Sequence, residues 1–175
     1  MMTAAFKGFM LISSISAFLA VLLPVTGEEV TSEKTLGLEN IVTTCYALGG
    51  DTRGQKAFRE DVYLAKGNPN QAIATLKEIV IEGKRPVWSF KMQDQIEVII
   101  FRGAFLTLCK VGIKKVVLKD SNIEVYAEYA DFPGYDIASQ PAAIIPLGKL
   151  PPGKYAVNLF VDIKLRKKIE FKVSH

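Results

Sequence analysis

From Pro86 onward, apolar residues tend to recur at every second position. The runs are IEVIIFRG (96–103), VGIKKVVLKDSNIEVYAEY (111–129), AAIIPLG (142–148), KYAVNLFVD (154–162) and KKIEFKVSH (167–175), with PVWSFKM (86–92) ahead of them. A period of two sends successive side chains to opposite faces of an extended strand. Within 122–129, Ile123, Val125, Ala127 and Tyr129 share one face, and Glu124, Tyr126 and Glu128 share the other. Asp120-Ser121-Asn122 between two such runs is a hairpin signal, because Asn and Asp tolerate left-handed backbone. Short strands with turns between them and no intervening helix predict an antiparallel β-sandwich over 86–175, either immunoglobulin-like or a partly closed barrel.

Before Arg85-Pro86 the period is helical. LENIVTTCYALGG (38–50) reads as a short helix closed by Gly49-Gly50, followed by the polar loop GGDTRGQ. QKAFREDVYLAKG (55–67) sets Phe58, Val62 and Ala65 on one helical face. In NPNQAIATLKEIV, Asn68 can cap with its side-chain oxygen, Pro69 suits the first helical position, and Gln71 can reach back to complete a capping box. Ala72, Ile73, Leu76, Ile79 and Val80 supply the apolar stripe, and the helix should stop before Gly83. The stretch DVYLAKGNPNQAIATLKEIV (61–80) resembles the helix junction of a tetratricopeptide repeat, but no second copy follows at that family's period, so it reads as a single helical hairpin. The expected fold is therefore α+β: a helical segment at 28–85 packed on the sandwich.

The stretch IIPLGKLPPGKYAVNLFVD (144–162) is a turn between two apolar runs. Pro146 breaks the first run, and Pro151-Pro152-Gly153 sets a tight turn. Tyr155, Val157, Leu159 and Val161 then share a face, an arrangement that resembles the tyrosine corner of immunoglobulin-like sandwiches, in which the hydroxyl bonds backbone a few residues upstream. Tyr155, Pro152 and Gly153 are accordingly structural residues.

The first residues change the picture of where the chain works. Lys7 precedes an uncharged, mostly apolar run from Gly8 to Thr26, and Glu28 and Glu29 follow it. That is the layout of an export signal, and Val25-Thr26-Gly27 offers a small-x-small cleavage site after residue 27. The alternative is an uncleaved N-terminal membrane anchor. Either way the rest of the chain is expected outside the cytoplasm, in a periplasm, at a cell surface or secreted.

The formal net charge of +4 is mild, but basic residues gather at Lys110, Lys114, Lys115 and Lys119 and again at Lys164, Arg166, Lys167, Lys168 and Lys172. Such strands are either solvated, aggregation-resistant edges or a contact for an anionic partner: a phosphorylated lipid, an acidic glycan or an acidic protein face. Aromatic residues do not interleave with them, which argues against a nucleic-acid groove. Cys45 and Cys109 are the two cysteines, and in an exported chain they read as a disulfide or as two buried thiols. They supply half of a tetrahedral metal shell and no histidine helps them, so no metal or other cofactor is expected.

Catalytic constellations are hard to assemble. The one histidine, His175, is the last residue, where a Ser-His or Cys-His mechanism would rest on a frayed position. Ser89 and Lys91 share a strand face without the elbow or oxyanion signals that a Ser-Lys pair needs, and the glycines fit no phosphate-binding loop. DFPGYD (131–136) reads as a turn centred on Pro133-Gly134. Any function it has should be partner contact through Phe132 and Tyr135 flanked by Asp131 and Asp136, since two carboxylates are too few for a calcium site.

IEVIIFRGAFLTLCKVGIKKVVLKDSNIEVYAEYADFPGYDIASQPAAIIPL (96–147) resembles the C-terminal domain of PrcB-like protease-complex subunits. The resemblance lies in the strand ending IIFRG, the FLT segment, the GIKKVVLKD strand and the proline-led QPAAIIPL, while Leu108-Cys109-Lys110 departs from that family's Gly-Gly-Tyr-type segment. It implies an exported accessory subunit that binds or stabilises a protease and carries no catalytic residue.

Together these features point to an exported, non-catalytic binding or assembly module whose partner is another envelope protein. The candidate contact residues are Asp131, Phe132, Tyr135, Asp136, Lys164, Arg166 and Lys168. Two other readings stand beside it: a carbohydrate- or lipid-binding sheet face using Trp88, Tyr126 and Tyr129, and a glycan hydrolase built on Asp131 or Asp136.

Overall fold

The computed structural model of the chain describes residues 33–45, 59–105, 108–134 and 139–175. In chain order these form β1 (Glu33–Thr35), β2 (Val42–Cys45), β3 (Asp61–Lys66), α1 (Pro69–Val80), β4 (Ser89–Lys91), β5 (Ile96–Phe101), β6 (Leu108–Lys119), β7 (Asn122–Phe132), β8 (Pro141–Gly148), β9 (Gly153–Val161) and β10 (Lys164–Ser174). The strands make two sheets, β1-β6-β7-β9-β10-β4 (sheet A) and β2-β8-β5-β3 (sheet B). Val98, Ile100 and Ile145 from sheet B and Val125, Val157, Leu159 and Phe171 from sheet A belong to one buried cluster, the core of a β-sandwich.

The α+β expectation is corrected here. Among the described residues there is no N-terminal helical hairpin: part of 38–50 is strand β2, and 61–66 of the supposed second helix is strand β3. Phe58 and residues 46–57 lie outside the described residues. The misreading at β3 has a physical cause. Val62 and Leu64 face the core between the sheets, while Tyr63 and Ala65 join a second cluster beneath α1. A strand buried on both faces loses its alternation, and its apolar run then looks like a helix segment.

Helix α1 is the one helix among the described residues, and local chemistry sets its start. The Asn68 side chain accepts from the Gln71 backbone N–H at 3.1 Å, and the Gln71 side chain accepts from the Asn68 N–H at 2.9 Å. Gly67 immediately before it has φ +104, where a Cβ would run into the Gln71 side chain. The helix buries Ala72, Leu76, Ile79 and Val80 against Tyr63, Ala65, Ile99, Phe101, Ala142 and Ile144 of sheet B.

The sandwich is also not wholly antiparallel. β7 runs parallel to β9, and β10 runs parallel to β4. The first pair is parallel because the chain leaves sheet A after β7, forms β8 in sheet B, and returns as β9 beside β7. The segment between β8 and β9 is therefore a crossing between sheets, with Leu150 buried in the core. The residue in left-handed backbone there is Gly148, at φ +76. Pro146 lies within β8, beyond the last position that β2 pairs, so its missing N–H leaves no ladder bond unmade on that side.

Candidate functional site

The outer face of sheet A carries a shallow, open groove. Asn122 of β7 pairs with Ala156 of β9, which pairs in turn with Glu170 of β10, and Lys154 pairs with Lys172 one row on. Ala156 is small and sits between longer side chains, so the sheet surface sinks there. The resulting groove has a volume of about 550 Å³, walled by Trp88, Ser121, Asn122, Lys154, Lys168, Glu170 and Lys172. The Trp88 carbonyl accepts the Lys172 N–H at 3.0 Å, which fixes this residue beside the strand. Its side chain remains 39% exposed. Beneath the groove, Tyr155 stacks on Phe171 at 5.4 Å between ring centroids.

Charge is unevenly matched across this face. Lys168 bonds Glu170 at 2.9 Å, and that contact holds the Glu170 carboxyl below the usual glutamate range, with Lys154 adding to the effect. Lys154 and Lys172 stand directly opposite each other, both exposed, and neither has an ion pair among the described residues. Further along, Tyr126 stacks on Phe160 at 5.0 Å and donates to Glu124 at 2.7 Å. That hydrogen bond to a carboxylate raises the Tyr126 phenol above its ordinary value.

The residues singled out in the sequence do not gather at one place. Lys168 lines the groove. Arg166 lies 3.4 Å from Glu60, Lys167 pairs with Asp61 at 2.9 Å, and Lys164 is exposed where β10 begins. Asp131 binds Arg102 at 2.7 Å. The Arg102 guanidinium, with the Cys109 thiol after it, holds the Asp131 carboxyl below the usual range. Phe132 packs under the Lys110 ammonium at 5.4 Å. Tyr135 and Asp136 lie outside the described residues, as does the side chain of Cys45. The Cys45 backbone pairs with Pro141, and Cys109 is buried with its N–H donating to the Ser139 hydroxyl at 3.2 Å. Of the three sheet-face aromatics, Trp88 lines the groove and Tyr126 lies on the outer face, while Tyr129 is half-buried against the core. The Tyr155 hydroxyl donates to the Pro151 carbonyl at 2.9 Å.

Two buried polar groups stand apart. Arg102 has its guanidinium between the rings of Phe105 and Tyr129, at 4.6 and 4.7 Å, and donates to the Ala130 carbonyl at 3.2 Å, which ties β5 to β7. Glu97 of β5 is 4% exposed, opposite Ala65 and Pro146, and its Oε2 has no hydrogen-bond partner among the described residues. Burial pushes its carboxyl up to about 7.

Sequence reasoning passed over Lys154, Asn122 and Ala156. Their parity in the period-two runs was readable, but their meeting depends on which strands adjoin. Among the described residues no cluster of His, Cys, Asp or Glu could hold a metal ion, and no helix is long and apolar enough to cross a membrane. No protein-family model, curated protein or solved structure matches the chain.

Chemically, the groove can bind. It offers cations, one exposed aromatic, and amide and hydroxyl groups that both donate and accept. Asp131, committed to Arg102 and ionised, is not placed to donate a proton.

Proposed function

We propose that the protein is an exported, non-catalytic binding or assembly module of the cell envelope, and that it holds an anionic group of its partner in the groove of sheet A. The observation that carries this reading is the pair Lys154 and Lys172. Like charges directly opposite on neighbouring strands destabilise a sheet, so this pair, with no ion pair among the described residues and with an exposed tryptophan beside it, gains from an arriving anion. Five of the eight other basic residues of the two clusters are already matched: Lys114 by Glu128, Lys115 by Glu33, Arg166 by Glu60, Lys167 by Asp61 and Lys168 by Glu170. Export rests on the signal layout of residues 1–27. A protease complex, as the resemblance over 96–147 implies, is one envelope partner able to present such a group.

The test is a pull-down from envelope extract with the wild-type chain and with Lys154→Glu/Lys172→Glu. The reading expects a partner that the wild type retains and the double variant loses. Recovery of nothing above background by the wild type, or equal recovery by both, would overturn it.

A further inference from the structure

Resting on that reading of the groove, we infer that its occupant is an acidic saccharide, a chain of sugar rings bearing carboxylate or sulfate groups. The groove is of the size that small ligands use, roughly 300–1,000 Å³. Its composition discriminates among anions. Lys154 and Lys172, side by side, suit an anionic substituent. Trp88 presents a flat apolar surface with a polar edge, which matches the C–H face of a sugar ring.

Glu170 decides between an acidic saccharide and an acidic peptide. Its carboxylate accepts only; Lys168 takes up Oε1 at 2.9 Å, the side chain is otherwise exposed, and the residue stands next to Ala156 at the floor of the groove. A peptide rich in Asp and Glu would bring its carboxylates against Glu170 with few donors to offset them. A sugar brings hydroxyl donors for Glu170 on the same ring that carries the anion for the lysines. Asn122 and Ser121, able to donate and accept, meet the remaining hydroxyls. A lipid fits less well, because the groove offers no apolar channel for an acyl chain beyond the single exposed indole.

Trp88 is the chain's only tryptophan, so its fluorescence reports on the groove directly. The full chain would be titrated with an oligogalacturonate, a heparin-derived oligosaccharide, an uncharged galactose oligomer, a polyglutamate peptide, and vesicles of phosphatidylglycerol. The expected result is a saturable change with at least one of the two acidic saccharides, at least ten-fold tighter than with the uncharged oligomer. Lys154→Gln/Lys172→Gln should weaken it at least ten-fold without lowering the melting temperature. Ala156→Gln, which fills the floor, should weaken it independently of charge.

Polyglutamate or the vesicles binding as tightly as the acidic saccharides would overturn the saccharide assignment and leave the binding-module reading standing. Silence from both acidic saccharides would also overturn it, and the pull-down would then show whether the groove serves another partner. Binding that neither the lysine pair nor Ala156 affects would place the saccharide elsewhere and overturn the assignment of the groove.

Discussion

Lys172 faces Lys154 across β10 and β9, and a one-residue bulge puts it there. The hairpin turn pairs Val161 with Lys164 and Phe160 with Leu165, and the register then slips past Arg166 so that Leu159 meets Lys167. Carried on without that slip, the ladder would set Lys172 against Gly153. The two lysines therefore stand opposite each other on the exposed face, where like charges repel. Lys172→Gln is expected to raise stability by about 0.2–0.5 kcal/mol at low ionic strength. The gain should shrink toward zero in about 1 M salt, where screening acts within about 3 Å. Thermal melts of both proteins across a salt series check this, and a variant less stable than the wild type at every salt would contradict it. A stabilising change that also weakens binding is the signature of a site kept for function.

Glu97 makes the fold sensitive to pH. Its carboxyl titrates near 7 in the folded protein against an ordinary value of 4.5, and burial is the cause. The folded state thus holds its proton more tightly than the unfolded chain. Stability from this group is complete below about pH 4.5 and is lost as pH rises through 7, a change of about 3 kcal/mol at 1.36 kcal/mol per unit. Its facing neighbours Ala65 and Pro146 carry no charge that would compensate. Glu97→Gln keeps the shape and removes the titration. Urea unfolding from pH 5 to pH 8 should show the wild type weakening by more than the variant does. Parallel pH profiles would refute the assignment.

How much of this was legible in the sequence depends on the range of the forces involved. Asn68, Pro69 and Gln71 act within four residues, and the helix start they announced is where α1 begins. β7 and β10 showed themselves through alternation, since sheet A buries one face against the core and leaves the other to solvent, whereas β5 and β8 of sheet B, buried along most of their length, showed as short apolar runs. β3 did not, because Tyr63 and Ala65 are covered by α1 while Val62 and Leu64 face the other sheet. β2 is a four-residue strand held by its pairing with β8, a relation that no local pattern announces. The groove was invisible for a similar reason. Lys154, Asn122 and Ala156 come together only through a parallel β7–β9 pair and a bulge near Arg166. Asp131 was readable as an exposed turn carboxylate, and its partner Arg102 comes from the end of a different strand in the other sheet.

Tyr155 anchors the crossing from sheet B to sheet A. Its hydroxyl donates to the Pro151 carbonyl at 2.9 Å, and its ring stacks on Phe171 at 5.4 Å. Tyr155→Phe keeps the stack and removes the hydrogen bond. The expected loss is about 1 kcal/mol, the usual net worth of one such bond, with groove binding retained because the ring still supports the floor. Denaturant unfolding with an unchanged slope and a lowered midpoint is the result that agrees. An unchanged midpoint would mean that Pro151 is satisfied as well by water.

Arg102 should prove the most costly polar side chain to remove. Its own side chain is 9% exposed, while that of its partner Asp131 is 61% exposed. The guanidinium lies between two aromatic rings and also bonds the Ala130 carbonyl, so the planar fork, more than the charge alone, is what the site uses. Cation–π contacts are worth up to about 2 kcal/mol when desolvated, and a charged hydrogen bond about 1.5–3. Arg102→Ala is therefore expected to cost about 3 kcal/mol or more. Arg102→Lys should recover only a minor part, since an ammonium cannot stack on both rings and reach the carbonyl together. Asp131→Asn should change the unfolding midpoint far less than either, because the exposed carboxylate is well solvated without Arg102. Unfolding curves for the three variants distinguish the cases. If lysine restored wild-type stability, the sheets would be joined at this end by charge; if it does not, they are joined by the stack of Phe105, Arg102 and Tyr129, and Asp131 is an accessory to a structural clamp.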